Sequence, residues 1–116
     1  MKTSVSLCIV LLLAMVTTQA LAHPPSNIII TYDPQSRMLT ATIKHNVQDP
    51  REHFIVKVAV RVNQSNTIEQ KLPMQESLDS QVVAYRLPDI ITGDTIAVAA
   101  YCSEFGQLEK SIVIGK

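Results

Sequence analysis

The sequence predicts an all-β domain, a seven-stranded antiparallel β-sandwich. From residue 27 onward, short segments rich in Val, Ile, Thr and Tyr alternate with clusters of Pro, Asp, Asn, Ser and Gly. The clusters recur about every 10 to 15 residues, as expected for short strands joined by turns. No window after residue 22 has the period of a helix, and no internal repeat or low-complexity segment is found.

The first two predicted strands, 28–32 and 38–44, form a hairpin. The D-P-Q-S segment between them favours a turn, because proline fixes φ and the Asp and Ser side chains can bond nearby amides. In the second strand Leu39, Ala41 and Ile43 alternate with Met, Thr and Lys side chains. We therefore expect one face of this strand to be buried and the other to be exposed.

The third predicted strand, 54–62, is the longest. Its period-two pattern places Phe54 and the four valines on one face, with Ile55 and the charged side chains on the other. A turn at 63–66 leads to the later strands, which we expect at 67–72, 81–87, 95–101 and 108–114, with a loop at 73–80. Seven short strands are typical of an immunoglobulin-like sandwich, here a single domain over residues 23–116.

Residues 1–22 predict a cleaved secretory signal peptide. Lys2 precedes an apolar run of about a dozen residues, and the segment ends in the small-residue pattern Ala20-Leu21-Ala22. The run is shorter than the roughly 20 residues that span a bilayer, so we expect an exported, periplasmic or extracellular protein without a stable membrane anchor. An uncleaved signal anchor is the alternative, and the A-x-A end argues against it.

Charge and composition exclude several functions. After cleavage the domain carries nine Lys and Arg against ten Asp and Glu, so no basic field for nucleic acid exists. Three glycines and five aromatic side chains leave no glycine-rich phosphate loop and no aromatic surface for base stacking. A Cys/His hydrolase would need substrate-binding loops and an oxyanion hole, for which the chain is too small.

Cleavage leaves Cys102 as the single cysteine of the mature chain. Exported proteins usually pair their cysteines, and a single cysteine cannot form an internal disulfide. Cys102 could be a buried apolar side chain, half of an intermolecular disulfide or a metal-bound thiolate. Composition leaves these three interpretations open.

The strand order brings the candidate ligands to one end of the sandwich. If consecutive strands run antiparallel, strand starts and ends alternate between two poles. His23 precedes the first strand, His45 ends the second, His53 begins the third and Cys102 ends the sixth. All four therefore lie at one pole, and imidazole with thiolate suits iron, copper or zinc rather than magnesium or calcium.

The same residues also admit an ordinary structural interpretation. The histidines could be surface residues beside loops or at a terminus, and Cys102 could belong to the core. Three carboxylates in loops of this pole, Asp49, Glu52 and Glu104, could bind a metal or orient an imidazole. Their more ordinary role is that of solvated loop charges.

Two segments at this pole resemble the iron-binding domain of superoxide reductase, also called neelaredoxin or the larger domain of desulfoferrodoxin. The segment E-H-F-I at 52–55 is similar to the E-H-Y/F-I ligand segment of that family. The segment A-Y-C-S-E-F-G at 100–106 is similar to its A-Y-C-N-x-H-G segment. The resemblance extends weakly from about His45 to Gly106, and it implies the same seven-stranded immunoglobulin-like sandwich.

The resemblance implies that His53 and Cys102 bind an iron that reduces superoxide and receives electrons from a donor protein. In that family four equatorial histidines and an axial cysteine hold the iron. Here Phe105 stands at the position of the histidine after the cysteine, and Val47 stands six residues before His53, where the family has another histidine. With three histidines in the whole chain, the standard site is excluded and redox activity is in doubt.

The remaining donor set, His23, His45, His53 and Cys102, suits zinc or Cu(I) with four ligands, or iron with open positions. Cleavage after Ala22 would also make His23 the first residue, so that its amine and imidazole could chelate copper together, as in histidine-brace proteins. We expect an exported transition-metal-binding protein, with iron as the favoured metal. The alternatives are a copper-binding carrier and a non-catalytic interaction module.

Overall fold

The computed structural model describes residues 23–115, which form seven strands. The strands are β1 (Asn27–Asp33), β2 (Met38–Lys44), β3 (Ile55–Val62), β4 (Ser65–Lys71), β5 (Ser80–Arg86), β6 (Thr95–Cys102) and β7 (Gln107–Val113). None of these residues lies in a helix that is long and apolar enough to cross a membrane. The predicted signal peptide lies outside the described residues.

The strands are arranged in two antiparallel sheets. One sheet has the order β1-β2-β5 and the other has the order β4-β3-β6-β7. Each pair of neighbouring strands is antiparallel, which confirms the predicted immunoglobulin-like sandwich. β4 pairs with β3, so the fourth strand belongs to the second sheet, whereas in constant-type immunoglobulin domains it belongs to the first.

The core lies between the two sheets. The predicted alternation of β2 is confirmed, because Leu39, Ala41 and Ile43 are fully buried. The four-stranded sheet faces them with buried side chains of β3 and β6, which are Ile55, Val58, Val60, Ile96, Val98 and Ala100. Burying a Val, Leu or Ile side chain contributes about 1.5 to 3 kcal/mol, so these two faces supply the main stabilisation of the fold.

The predicted faces of β3 are correct in the middle of the strand and wrong at its beginning. Val58 and Val60 are buried as expected, but Ile55 is fully buried too, although the period-two pattern predicts it on the opposite face. The pairing of β3 with β6 shifts register between Ile55 and Lys57. Such a β-bulge adds one residue and so exchanges the faces on its two sides. The bulge begins two residues after His53 and changes which face of the sheet the first side chain of β3 points to.

The turn between β3 and β4 is shorter than the predicted segment 63–66. Val62 pairs with Ser65, which leaves a two-residue turn of Asn63 and Gln64. Both residues have positive φ, 49° and 71°, as a type I′ hairpin turn requires. β4 therefore begins two residues earlier than expected, and its pairing with β3 shifts register between Val60 and Arg61.

A tyrosine ties the edges of the two sheets together. The Tyr85 hydroxyl on β5 donates a hydrogen bond to Oε1 of Gln70 on β4, at 2.6 Å. Burial raises the pKa of Tyr85 to about 12, so the hydroxyl stays protonated and remains a donor over the ordinary pH range. This bond joins β5, an edge strand of the three-stranded sheet, to β4, an edge strand of the four-stranded sheet.

Candidate metal centre

The four candidate ligands lie at one pole of the sandwich, as the strand order predicts. His45 directly follows β2, whose last residue Lys44 pairs with Ser80, the first residue of β5. Ile55, the first residue of β3, pairs with Cys102, the last residue of β6. The starts of β1 and β3 and the ends of β2 and β6 therefore meet at this pole.

Three histidines form a compact cluster there. The ring centroids are 5.0 Å apart for His23 and His45, 5.2 Å for His23 and His53, and 4.7 Å for His45 and His53. One ring nitrogen from each lies within 4.8 Å of the others. Two nitrogens that bind one ion at about 2.0 to 2.1 Å each are at most about 4.2 Å apart, so nitrogens separated by the full 4.8 Å would move closer together on binding. The cluster can therefore hold a metal ion.

Cys102 adjoins the cluster through His53. Its Sγ lies 3.0 Å from His53 Nε2, which is within hydrogen-bonding distance. The backbone N–H of Glu104 also donates to Sγ, at 3.5 Å. Cys102 is a free cysteine and is 9% exposed. Metals bind cysteine as the thiolate, so Cys102 offers one further donor beside the three imidazoles.

The electrostatic environment keeps His53 in the form that a metal requires. Burial, followed by the neighbouring His45 and His23, lowers the pKa of His53 below its usual 6.5. Glu104 acts in the opposite direction, with Oε2 3.9 Å from His53 Nδ1. The net lowering leaves the ring neutral at neutral pH, with a lone pair available for coordination.

A polar cage surrounds His45, which is 1% exposed. Its Nδ1 lies 2.8 Å from Oε1 of Gln75, and its Nε2 lies 3.3 Å from the carbonyl oxygen of His23. Gln75, itself fully buried, donates from Nε2 to the carbonyl oxygens of His45 and Ser77, at 2.8 and 2.9 Å. The amide of Gln75 is therefore fully paired, and the ring of His45 has the Gln75 oxygen beside one nitrogen and the His23 carbonyl beside the other.

Sequence reasoning missed Gln75. The residue lies in the loop expected at 73–80, where a glutamine carries no chemical signal because amide side chains are common in polar loops. Only the chain path brings it to the histidines, through a hydrogen bond from the Gln75 N–H to the Pro50 carbonyl, at 3.0 Å. No periodicity or motif of this sequence would have found it.

A turn around Asp49 positions His53. The carbonyl of Asp49 accepts hydrogen bonds from the N–H groups of Glu52 and His53, at 3.1 and 3.0 Å, and its carboxylate accepts one from the Arg51 N–H. This is an Asx-type turn, so Asp49 shapes the loop. Of the three candidate carboxylates, Glu104 alone approaches a histidine ring, and no carboxylate belongs to the clustered donors of residues 23–115.

The segment after β6 bonds back to Cys102 and packs against Pro24, the residue after His23. The Cys102 N–H donates to the Gly106 carbonyl at 2.9 Å, and the Ser103 N–H donates to the Phe54 carbonyl at 2.8 Å. Gly106 has a φ of +88°, and its Cα faces Pro24 so closely that a Cβ there would lie 2.7 Å from Pro24 Cβ. Phe105, in the same segment, is 64% exposed.

No protein-family model matches this chain, and no curated protein matches it either.

Proposed function

We propose that this protein is an exported transition-metal-binding protein that holds its metal with His23, His45, His53 and the thiolate of Cys102. The observation that carries the proposal is the cluster of three histidine nitrogens within 4.8 Å of one another. Export is supported by the signal-peptide pattern of residues 1–22.

The donor set decides which ions fit. Imidazole and thiolate bind iron, copper and zinc well, whereas magnesium and calcium require oxygen ligands. Three histidines and one cysteine fill the four positions of zinc or Cu(I), and they leave open positions on iron. Four equatorial imidazoles are unattainable in one chain, so we do not propose superoxide turnover by a standard site.

Iron is the metal we favour, on the resemblance to the superoxide reductase iron domain. The E-H-F-I segment supplies His53 and the A-Y-C segment supplies Cys102, and these two side chains are 3.0 Å apart. The immunoglobulin-like fold agrees with that family. If the iron is redox-active, an electron-donor protein is a further partner.

Copper carriage is the second candidate, and His23 is the observation that favours it. Its ring belongs to the cluster although the residue precedes the first strand. Cleavage after Ala22 would add a free α-amine directly beside this ring. An amine and two or three imidazoles are a suitable donor set for copper, and the thiolate of Cys102 would favour Cu(I).

Elemental analysis of the mature protein tests the proposal. The protein is purified from its native export compartment, its intact mass shows whether residues 1–22 are removed, and bound metals are quantified by mass spectrometry. We expect close to one transition-metal ion per chain, with iron supporting the redox interpretation and copper the carrier. Absence of metal, together with no uptake of Fe(II), Cu(I) or Zn(II) by the purified protein, would leave an interaction module.

Two variants sharpen this experiment. Cys102→Ala removes the thiolate and should lower the metal content strongly. Val98→Ala shortens another buried side chain of the same strand without removing a donor, so it controls for general destabilisation. If both variants lose the same amount of metal, Cys102 acts through folding and is not a ligand.

A further inference from the structure

Gln75 is buried at the metal centre in a way that its position in a loop does not explain. Its side chain has no exposed surface, and burying an amide is costly unless its donors and acceptor are all paired. The amide nitrogen lies 2.8 Å from the carbonyl oxygen of His45 and 2.9 Å from that of Ser77. The amide oxygen lies 2.8 Å from His45 Nδ1.

These contacts determine the orientation of the amide. Two carbonyl oxygens are acceptors, so the atom that faces them must be the NH2 group, which has two hydrogens to donate. The oxygen of Gln75 therefore faces His45 Nδ1, and because the oxygen can only accept, Nδ1 must carry a hydrogen. The hydrogen-bond network thus assigns the Nδ1–H form to His45.

The other ring nitrogen is then left with its lone pair. His45 Nε2 lies 3.3 Å from the carbonyl oxygen of His23, which is itself an acceptor. Two acceptors at this distance repel each other unless a proton or a metal ion lies beside them. His45 is almost fully buried, so bulk water does not relieve this repulsion. A cation placed beside the Nε2 lone pair and the carbonyl oxygen would remove this repulsion.

We infer that Gln75 is a positioning residue of the metal centre, which holds His45 in the Nδ1–H tautomer and directs its Nε2 lone pair toward the metal. The inference rests on the proposed function. Metal-binding histidines generally donate their second N–H to such a partner, which sets both the tautomer and the ring orientation. Here the partner comes from the loop between β4 and β5.

A second buried glutamine, Gln81 at the beginning of β5, provides the control. The Gln81 amide oxygen accepts a hydrogen bond from the Glu76 N–H at 2.9 Å, and its nitrogen donates to the Val82 carbonyl at 3.0 Å. Gln81 therefore stabilises the same loop as Gln75 but contacts no histidine in these hydrogen bonds. Gln75→Met and Gln81→Met remove comparable amides and keep similar side-chain volumes.

The test measures affinity and tautomer together. Zn(II) affinity is determined by competition with a chromophoric chelator for the mature wild-type protein and both variants. The tautomer of His45 is read from long-range 1H–15N correlations of the imidazole ring, without metal. We expect Gln75→Met to weaken Zn(II) binding by about 10- to 100-fold and to abolish the exclusive Nδ1–H signature. Gln81→Met should retain that signature and lose much less affinity.

The possible failures are distinguishable. If the wild-type protein binds neither Zn(II), Fe(II) nor Cu(I), the proposed function is overturned and this role of Gln75 with it. If the wild-type protein binds Zn(II) but Gln75→Met retains both affinity and tautomer, the positioning role alone is overturned. Equal loss of affinity in both glutamine variants also overturns it, because the effect would then come from the loop.

Discussion

Burying an imidazole away from water is costly unless both ring nitrogens have partners. His45 is nearly inaccessible to water, although it carries two polar ring nitrogens. Gln75 satisfies one nitrogen, and the other faces the His23 carbonyl. A buried histidine that only packed in a core would not need two other imidazoles within 5.0 Å of its ring centre. This concentration of nitrogen donors supports metal binding.

Gly106 offers a residue-scale prediction about His23. An alanine there would have an unfavourable positive φ, and its Cβ would meet the backbone of Pro24, with Cα at 3.1 Å. Backbone cannot move aside as easily as a flexible side chain. We therefore expect Gly106→Ala to displace Pro24 and with it His23, and so to lower Zn(II) affinity as well as the free energy of unfolding. Chelator competition and urea denaturation measure the two effects.

Gly93 is the matched control for that substitution. It has a similar φ of +95°, but a Cβ there would meet no atom within 4 Å. Gly93→Ala should lower the free energy of unfolding by about 1 to 2 kcal/mol through backbone strain alone. Zn(II) affinity should not change. If both alanine variants lower the affinity equally, the contact between Gly106 and Pro24 does not position His23.

At the scale of the elements, turns and bulges determine which side chains of a strand point into the core and which point toward the candidate site. The bulge at the beginning of β3 lies next to His53 and brings Ile55 into the core. The Asp49 turn before it orients the His53 backbone. Strand composition determines that β3 forms, whereas these irregular features determine the direction in which its first residues point.

The two-residue turn between β3 and β4 is suboptimal at its second position. Gln64 has a φ of 71°, and a type I′ turn favours glycine there because glycine tolerates positive φ without a Cβ clash. We expect Gln64→Gly to raise the free energy of unfolding by about 0.5 kcal/mol, after the greater entropy of glycine in the unfolded chain is subtracted. Thermal denaturation measures this change. A lower melting temperature would show that Gln64 makes a stabilising contact.

The turn before β6 contains a pH-dependent element. The Asp94 carboxylate accepts a hydrogen bond from Asn63 Nδ2 and another from the Ile91 N–H, both at 2.9 Å. The Asn63 side chain first, and then the Ile91 amide, lower the pKa of Asp94 below its usual 3.8. A carboxyl group whose pKa is lower in the folded state stabilises the fold above its unfolded pKa. This contribution is lost as the pH falls through the folded pKa.

Urea denaturation across the acidic range tests this turn. The difference in unfolding free energy between the wild-type protein and Asp94→Asn should be constant above about pH 5 and should shrink below about pH 4. Asp94→Asn removes the titrating group but keeps the shape of the side chain. A difference that is independent of pH would show that Asp94 has no lowered pKa.

At the scale of the whole molecule, the candidate ligands come from both sheets. His23 and His45 flank β1 and β2 of the three-stranded sheet, whereas His53 and Cys102 lie at the ends of β3 and β6 in the four-stranded sheet. A metal ion bound by all four would therefore connect the sheets. In antibody domains a disulfide makes the connection between sheets.

Metal binding should stabilise the whole fold. A ligand that binds only the folded state adds about 2.7 kcal/mol at a free concentration of about 100 times its Kd. We expect saturating Zn(II) to raise the melting temperature of the mature protein, and a chelator to reverse the increase. The double variant His53→Ala/Cys102→Ala should show no response. If it responds as the wild-type protein does, the stabilising ion binds elsewhere.

Much of this arrangement is visible in the sequence because strands leave a period-two signal. The alternation of β2 and the turn chemistry between segments predict the sandwich, and the parity of antiparallel strands then predicts the shared pole of His23, His45, His53 and Cys102. Parity needs only the number of strands between two residues, so errors of one or two residues at strand ends do not matter.

The sequence by itself determined the fold class and the end of the molecule at which the donors gather, because both follow from local patterns and strand count. Only the tertiary structure decided which atoms meet there. The bulge that buries Ile55, the 3.0 Å approach of His53 to Cys102 and the enclosure of His45 by Gln75 each depend on how distant segments pack. Gln75 and His45 are 30 residues apart, and no local pattern encodes a hydrogen bond over that separation.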